Sequence, residues 1–111
     1  MAEIKARGVR FHVQTLGSGS SNVVFLHGLI WDNLSSWYFS VAPHISKHAR
    51  VLLYDMRGHG KSERTETSYR LEDFVADLDA LLSSTGFDDR PVHLIGNSFG
   101  GLVAIAYAMA H

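Results

Sequence analysis

The sequence contains no cysteine, only two prolines, and no apolar run longer than the nine residues from Leu102 to Ala110. Without cysteine there is neither a disulfide framework nor a thiolate metal site. Nine apolar residues are about half of what a helix needs to cross a bilayer, and the N-terminal MAEIKARGVRF lacks the continuous apolar stretch of a secretory leader. Charge of one sign is missing too: 10 Lys+Arg face 11 Asp+Glu, for a net charge of -1. With both signs interspersed there is no basic face for phosphate backbones or anionic lipid. These absences lead to the expectation of a cytosolic protein with neither nucleic acid nor membrane among its partners. What is present, 111 residues of which 46% are hydrophobic and 19% charged, describes one globular unit. A chain of this size hides roughly two-thirds of the surface that its unfolded form exposes, enough for a single core.

Residues Val9 to Thr15 alternate large apolar side chains (Val9, Phe11, Val13) with polar ones (Arg10, His12, Gln14), which predicts an antiparallel edge strand. The breaker cluster from Gly17 to Asn22 separates it from Val23-Val24-Phe25-Leu26, apolar at every position as strands covered on both faces are. Val51-Leu52-Leu53-Tyr54 and Val92-His93-Leu94-Ile95 repeat that character. Between the first two runs, Trp37, Val41 and Ile45 are spaced by four and predict a short, irregular helix within Asn33 to His48, limited or kinked by Pro43. Between the second and third, Leu71, Phe74, Val75, Leu78, Leu81 and Leu82 recur at helical spacing. Glu72, Asp73, Asp77 and Asp79 are assigned to that helix's outer face and Gly86 to its stop. Alternating strands and helices imply an α/β fold: an open, mostly parallel sheet with helices on both faces.

After the third run comes Gly96-Asn97-Ser98-Phe99-Gly100-Gly101, then a helical stretch from Leu102 to His111. This is G-x-S-x-G immediately after a strand and opening a helix, the context in which a serine is held on a sharp, strained turn with its hydroxyl lifted clear of the sheet. Strand and helix nearly collide there, so small neighbours are needed, and Gly96, Gly100 and Gly101 are read as meeting that need. The competing reading is a glycine-lined turn with an incidental serine. Other motifs fail on their own terms. His44 and His48 have the i, i+4 spacing of a zinc helix, but Ile45 stands where the glutamate should be. Gly60-Lys61-Ser62 ends like a phosphate loop, but Asp55 occupies the position of its first glycine, and Glu63 breaks a dinucleotide fingerprint begun at Gly58. No metal and no cofactor are expected.

Two further segments follow strands: His27-Gly28-Leu29 closes the first buried run and Asp55-Met56-Arg57-Gly58-His59-Gly60-Lys61-Ser62 the second. With these three ordered motifs the sequence resembles the serine-nucleophile branch of the α/β-hydrolase superfamily, from about Val9 to the end. The resemblance implies that Ser98 is the nucleophile and that the backbone N–H groups of Leu29 and Phe99 form the oxyanion hole. Their side chains are expected to shape the pocket more than the chemistry. It further implies that His27 and His59 brace the floor of the site, and that Asp55 and Arg57 build turns, Arg57 by satisfying loop carbonyls. Trp31, Trp37, Tyr38 and Phe39 are read as helix-to-sheet packing, with lining of an acyl pocket as the other reading.

The superfamily order is nucleophile, acid, histidine. Only thirteen residues follow Ser98, with no Asp or Glu and with His111 as the sole histidine. The expectation is therefore an N-terminal part of a single hydrolase domain, residues 1–111, that needs the C-terminal half or a second chain for its acid and base. A split subunit and a degenerate remnant also fit this pattern. The expected activity is hydrolysis of an ester, thioester, lactone or activated carbon-carbon bond of a small molecule. The elbow resembles that of hydrolases acting on ring-fission dienones, and the segment from Asp55 to Ser62 that of esterases and enol-lactonases. Epoxide hydrolases and haloalkane dehalogenases of this fold carry an aspartate where Ser98 stands, and peptidases are disfavoured. A non-catalytic binding or regulatory module is the alternative.

Overall fold

The alternation around Val9 does produce a strand, although not at the edge of the sheet. In the computed structural model, which describes residues 2–29 and 31–111, strand β1 (Ala2–Ala6) precedes β2 (Val9–Leu16) and pairs with it antiparallel, Ala6 opposite Val9. Arg7 and Gly8 join them with φ of 51° and 75°, the two positive values that a tight two-residue hairpin requires. β4 (Arg50–Tyr54) takes the other side of β2, so the predicted edge strand is interior.

β3 (Asn22–Leu26) pairs parallel with β4 on one side and with β5 (Val92–Gly96) on the other, giving the order β1-β2-β4-β3-β5. β2 alone runs against the rest, so the sheet is mixed and mostly parallel. The two unbroken apolar runs in its middle are explained by cover on both faces. Val24, Leu26, Leu52 and Tyr54 point to one side, where they meet Phe11 and Val13 of β2, Phe74, Leu78 and Leu81 of α3 (Leu71–Thr85) and Val103 of α4 (Phe99–Ala110). Val23, Phe25, Val51 and Leu53 point to the other, against Leu34, Ala42 and Ala49. Val24, Phe25, Leu52 and Leu53 are at most 1% exposed, and burying each such side chain stabilises by about 1.5–3 kcal/mol.

The helix expected within Asn33 to His48 is two separate four-residue turns, α1 (Ser35–Tyr38) and α2 (Ala42–Ile45). Pro43 does not kink a longer helix but sits in the first turn of α2, where its missing N–H costs nothing. The break frees Val41, which is exposed, from the face it was expected to share with Trp37 and Ile45.

α3 follows its periodicity closely and stops at Gly86, whose φ of 75° is the left-handed cap conformation and whose N–H bonds back to Leu82 and Ser83. One assignment is overturned. Asp77 is not on the outer face but 1% exposed, accepting from Arg57 Nε and Nη2 at 2.7 Å each and from Arg7 Nη1 at 2.9 Å. It borders the apolar arc, one residue before Leu78 and a turn before Leu81. Two guanidinium groups make its burial tolerable there. Arg57 accordingly spends most of its donors on a carboxylate and only Nη1 on a loop carbonyl, that of Ser68 at 2.9 Å.

Candidate active site

Chain order reverses about β3. The segment leaving it passes through α1 and α2 on one face, whereas the segment leaving its parallel neighbour β5 forms α4 on the other. Two adjacent parallel strands whose exits diverge leave a crevice beyond their carboxyl ends, where α/β sheets bind their ligands. His27-Gly28-Leu29 and Asn97-Ser98-Phe99 are those exits.

The second exit is built by close approach. Ser98 has φ 56° and ψ -119°, a region costly for any residue with a Cβ, and its side chain is exposed. A methyl on Gly96 would lie 2.3 Å from the Gly100 carbonyl oxygen, and one on Gly100 would lie 2.3 Å from that of Leu26. Only glycine fits at either place. Gly101 is different: its nearest neighbour would be at 3.5 Å, an ordinary contact, so the expected steric need for a third glycine is not there. The Asn97 N–H bonds to the Leu26 carbonyl at 3.1 Å, tying the elbow to the end of β3. Helix α4 begins directly after Ser98, earlier than the stretch from Leu102 that periodicity marks. Among the described residues nothing hydrogen-bonds the Ser98 hydroxyl or the amide of Phe99. The Phe99 ring does not face the crevice but packs edge-on against Phe74 at 5.0 Å, which makes its side chain part of the α3–α4 packing instead of a pocket wall.

The first exit is held by three side chains. His27 is fully buried, with Nδ1 donating to the Gly28 carbonyl at 2.6 Å and Nε2 accepting the Met56 N–H at 2.9 Å. A carbonyl can only accept and an amide can only donate, so the ring is neutral, its proton is on Nδ1 and it has no lone pair left for a base. Burial holds its pKa below the ordinary 6.5, and His59, 5.0 Å away, pushes in the same direction. Asp55 accepts the Leu34 N–H at 2.8 Å and the Lys61 N–H at 2.9 Å, joining the segments that follow β3 and β4.

Asp32 is the residue that motif reading overlooks. Its Oδ2 accepts the Gly28 N–H at 2.6 Å, and its Oδ1 accepts the Asn33 N–H at 2.8 Å together with the Ser36 hydroxyl. Burial raises its pKa, but the hydrogen bonds from Ser36, Gly28 and Asn33 outweigh that effect and lower it. The available signal was an Asp-Asn pair shortly before a helix start, a pattern of side chains that capture nearby amides. A methyl on Gly28 would come within 3.2 Å of Asp32 Oδ2 and 3.5 Å of the Ser98 Cβ, so the two exits meet at this glycine. The Leu29 amide, like that of Phe99, has no acceptor among the described residues.

Beyond Leu29 lies a cleft of about 520 Å3, lined also by Trp31, Asp32, His59 and Arg64. The aromatic cluster divides at this point. Trp37 packs on Phe25 at 4.9 Å and belongs to the core, whereas Trp31 is 99% exposed and borders the cleft. Among the described residues no group of acidic, histidine or cysteine side chains is arranged to hold a metal ion, and no helix is long and apolar enough to cross a membrane.

Comparison with known proteins bears on this arrangement as a whole. The family described as alpha/beta hydrolase fold matches residues 22–111. The 2-hydroxy-6-oxo-2,4-heptadienoate hydrolase of Pseudomonas putida is 34% identical over 109 residues, 96% of this chain and 38% of that protein. The soluble epoxide hydrolase of Corynebacterium sp. is 37% identical over 103 residues, 91% of this chain and 34% of its own length. The crystal structure of the enol-lactonase from Burkholderia xenovorans superposes with a TM-score of 0.89 at 32% identity, over 99% of this chain and 42% of that one. The chain thus spans well under half the length of the proteins it matches. Because the matched region runs from β3 through α4 and takes in both exits that meet at Gly28, the chain belongs to the alpha/beta hydrolase fold family.

Proposed function

We propose that this chain carries the nucleophile and the oxyanion-binding amides of a serine hydrolase acting on an ester, thioester, lactone or activated carbon-carbon bond of a small molecule. The backbone at Ser98 carries the reading: a non-glycine residue at φ 56° two positions past the end of a parallel strand, exposed, with two flanking glycines that cannot be replaced. Strain of this kind, about 1–3 kcal/mol, persists where the surroundings over-determine it, and it clusters at active sites.

In the proposed reaction the Ser98 Oγ attacks the substrate carbonyl carbon as its proton passes to a base. The oxygen that gains the electron pair is met by the Leu29 and Phe99 amides, the latter at the positive end of α4. One such donor is worth about 2.7–4 kcal/mol of barrier. Collapse expels the leaving group and leaves an acyl-serine, which water then hydrolyses by the same steps. His27 cannot be the base, because both its nitrogens are used. The acid and base belong, in this reading, to the remainder of the domain, in the same polypeptide or a second one. Two exposures support this: β5 is the last strand of the sheet, and Ile95 on it and Leu102, Ile105 and Met109 on α4 are large apolar residues 38–83% exposed.

Supplying the base from solution tests the proposal. Added imidazole is expected to raise fluorophosphonate labelling of the chain in proportion to its concentration, at Ser98 by peptide mass spectrometry, and Ser98→Ala is expected to abolish it. Labelling that ignores imidazole, or that persists in the Ala variant, refutes the assignment and favours a binding module on the same fold.

A further inference from the structure

The cleft beyond Leu29 holds a cation that the reaction does not use. Arg64 borders it, and its Nη1 donates to the carbonyls of Gly60 at 2.7 Å and Ser62 at 3.1 Å. Those two bonds fix the guanidinium, yet among the described residues no carboxylate lies within 4.0 Å of it and nothing accepts from Nε or Nη2. The neighbouring Glu63 takes the Arg10 N–H at 3.0 Å, and the two oxygens of Asp32, on the same cleft, are shared among three donors. The cleft therefore presents a positioned guanidinium with its side-on pair of donors unspent. Leu29 and the fully exposed Trp31, held at φ 63°, form an apolar wall on the same cleft.

We infer that Arg64 is a substrate-recognition residue for a carboxylate, so that the ligand of this cleft is a small acyl compound with a free carboxylate at one end and the scissile carbonyl at the other. Nε and Nη2 lie parallel and match the two oxygens of a carboxylate, a pairing that lysine cannot reproduce. The apolar wall suits the carbon chain between the two groups. That the carbonyl end is cleaved rests on the acyl-transfer reading above, whereas carboxylate recognition is read by binding alone.

The test compares two probes, monoethyl adipate and diethyl adipate, titrated into the full chain by heteronuclear NMR. They share one ester and the carbon chain and differ at the other end, a carboxylate in the first and an ethyl ester in the second. The monoester is expected to bind about tenfold more tightly, as suits one charge-assisted pair. Arg64→Gln is expected to bring the ratio to one. Arg64→Lys is expected to fall between, and it carries the test if the Gln variant does not fold. Raising the salt from about 0.05 to about 0.5 M should shrink the ratio. A ratio of one in the unaltered chain, or a ratio undiminished in the Arg64 variants, overturns the inference. A preserved ratio without imidazole-dependent labelling of Ser98 leaves Arg64 as a carboxylate-binding residue and removes only the hydrolase.

Discussion

Adjacent glycines at the start of α4 should respond in opposite directions to the same substitution. In Gly100→Ala the new methyl would lie 2.3 Å from the Leu26 carbonyl oxygen and 2.5 Å from that of His27. Both are main-chain atoms at the end of β3, and the Asn97 amide holds the first of them, so no side-chain rotation relieves the clash. To restore an ordinary contact the helix must draw back from β3 by roughly 1 Å, which overpacking data place at about 1–3 kcal/mol, here at the upper end. The same movement carries Ser98 away from the Leu29 amide, and a displacement of that size costs about a hundredfold in rate. In Gly101→Ala the nearest atom is the Gly96 oxygen at 3.5 Å, and the position lies within the helix. Alanine there should stabilise by up to about 1 kcal/mol through helix propensity. Urea denaturation followed by circular dichroism reads both changes, and imidazole-dependent labelling at Ser98 reads the displacement. If Gly100→Ala unfolds within about 0.5 kcal/mol of the parent, or Gly101→Ala is equally damaging, the elbow is not packed as described.

Ser98→Gly is expected to raise the melting temperature while abolishing labelling, because glycine relieves about 1–3 kcal/mol of strain and gives back only about 0.5–1 kcal/mol in chain entropy. Asp77→Ala leaves the Arg57 guanidinium buried beside a single carbonyl, and urea denaturation should register a loss of about 3–5 kcal/mol. Replacing Arg57 and Asp77 together by Met and Leu should recover most of it. The buried His27 makes stability depend on pH. Its folded pKa lies below the ordinary 6.5, so as pH falls through 6.5 the unfolded chain takes up the proton first. The contribution is complete above pH 6.5 and is lost from there down to the folded pKa, where it levels off. In His27→Gln this part of the slope should vanish, as seen by comparing denaturation midpoints of the two proteins at about pH 7.5 and about pH 5.

What could be read from the sequence was local in origin. The buried strands announce themselves by unbroken apolar runs, α3 by its spacing and Gly86, and the elbow by glycines at fixed distances from Ser98. What could not be read depends on partners far along the chain. Asp77 looks like a solvated helix residue until Arg57 and Arg7, 20 and 70 positions away, are brought to it. β1 shows only Ile4 as a large apolar residue in five, too little for a period, and its evidence is the Arg7-Gly8 turn that follows; missing it is what made β2 look like an edge. The run Trp31 to Phe39 gave one expectation for four aromatics, and the fold divides them. The four-residue α1 sets Trp37 on Phe25 and packs Tyr38 against the same core, whereas Phe39, just past its end, is 80% exposed. Trp31 precedes the helix on the crevice side, next to the turn that Asp32 holds. An aromatic left in solvent there is explained by the cleft and not by the core, and that is why Trp31 and Arg64, neither of them in a recognised motif, carry what can be inferred about the ligand.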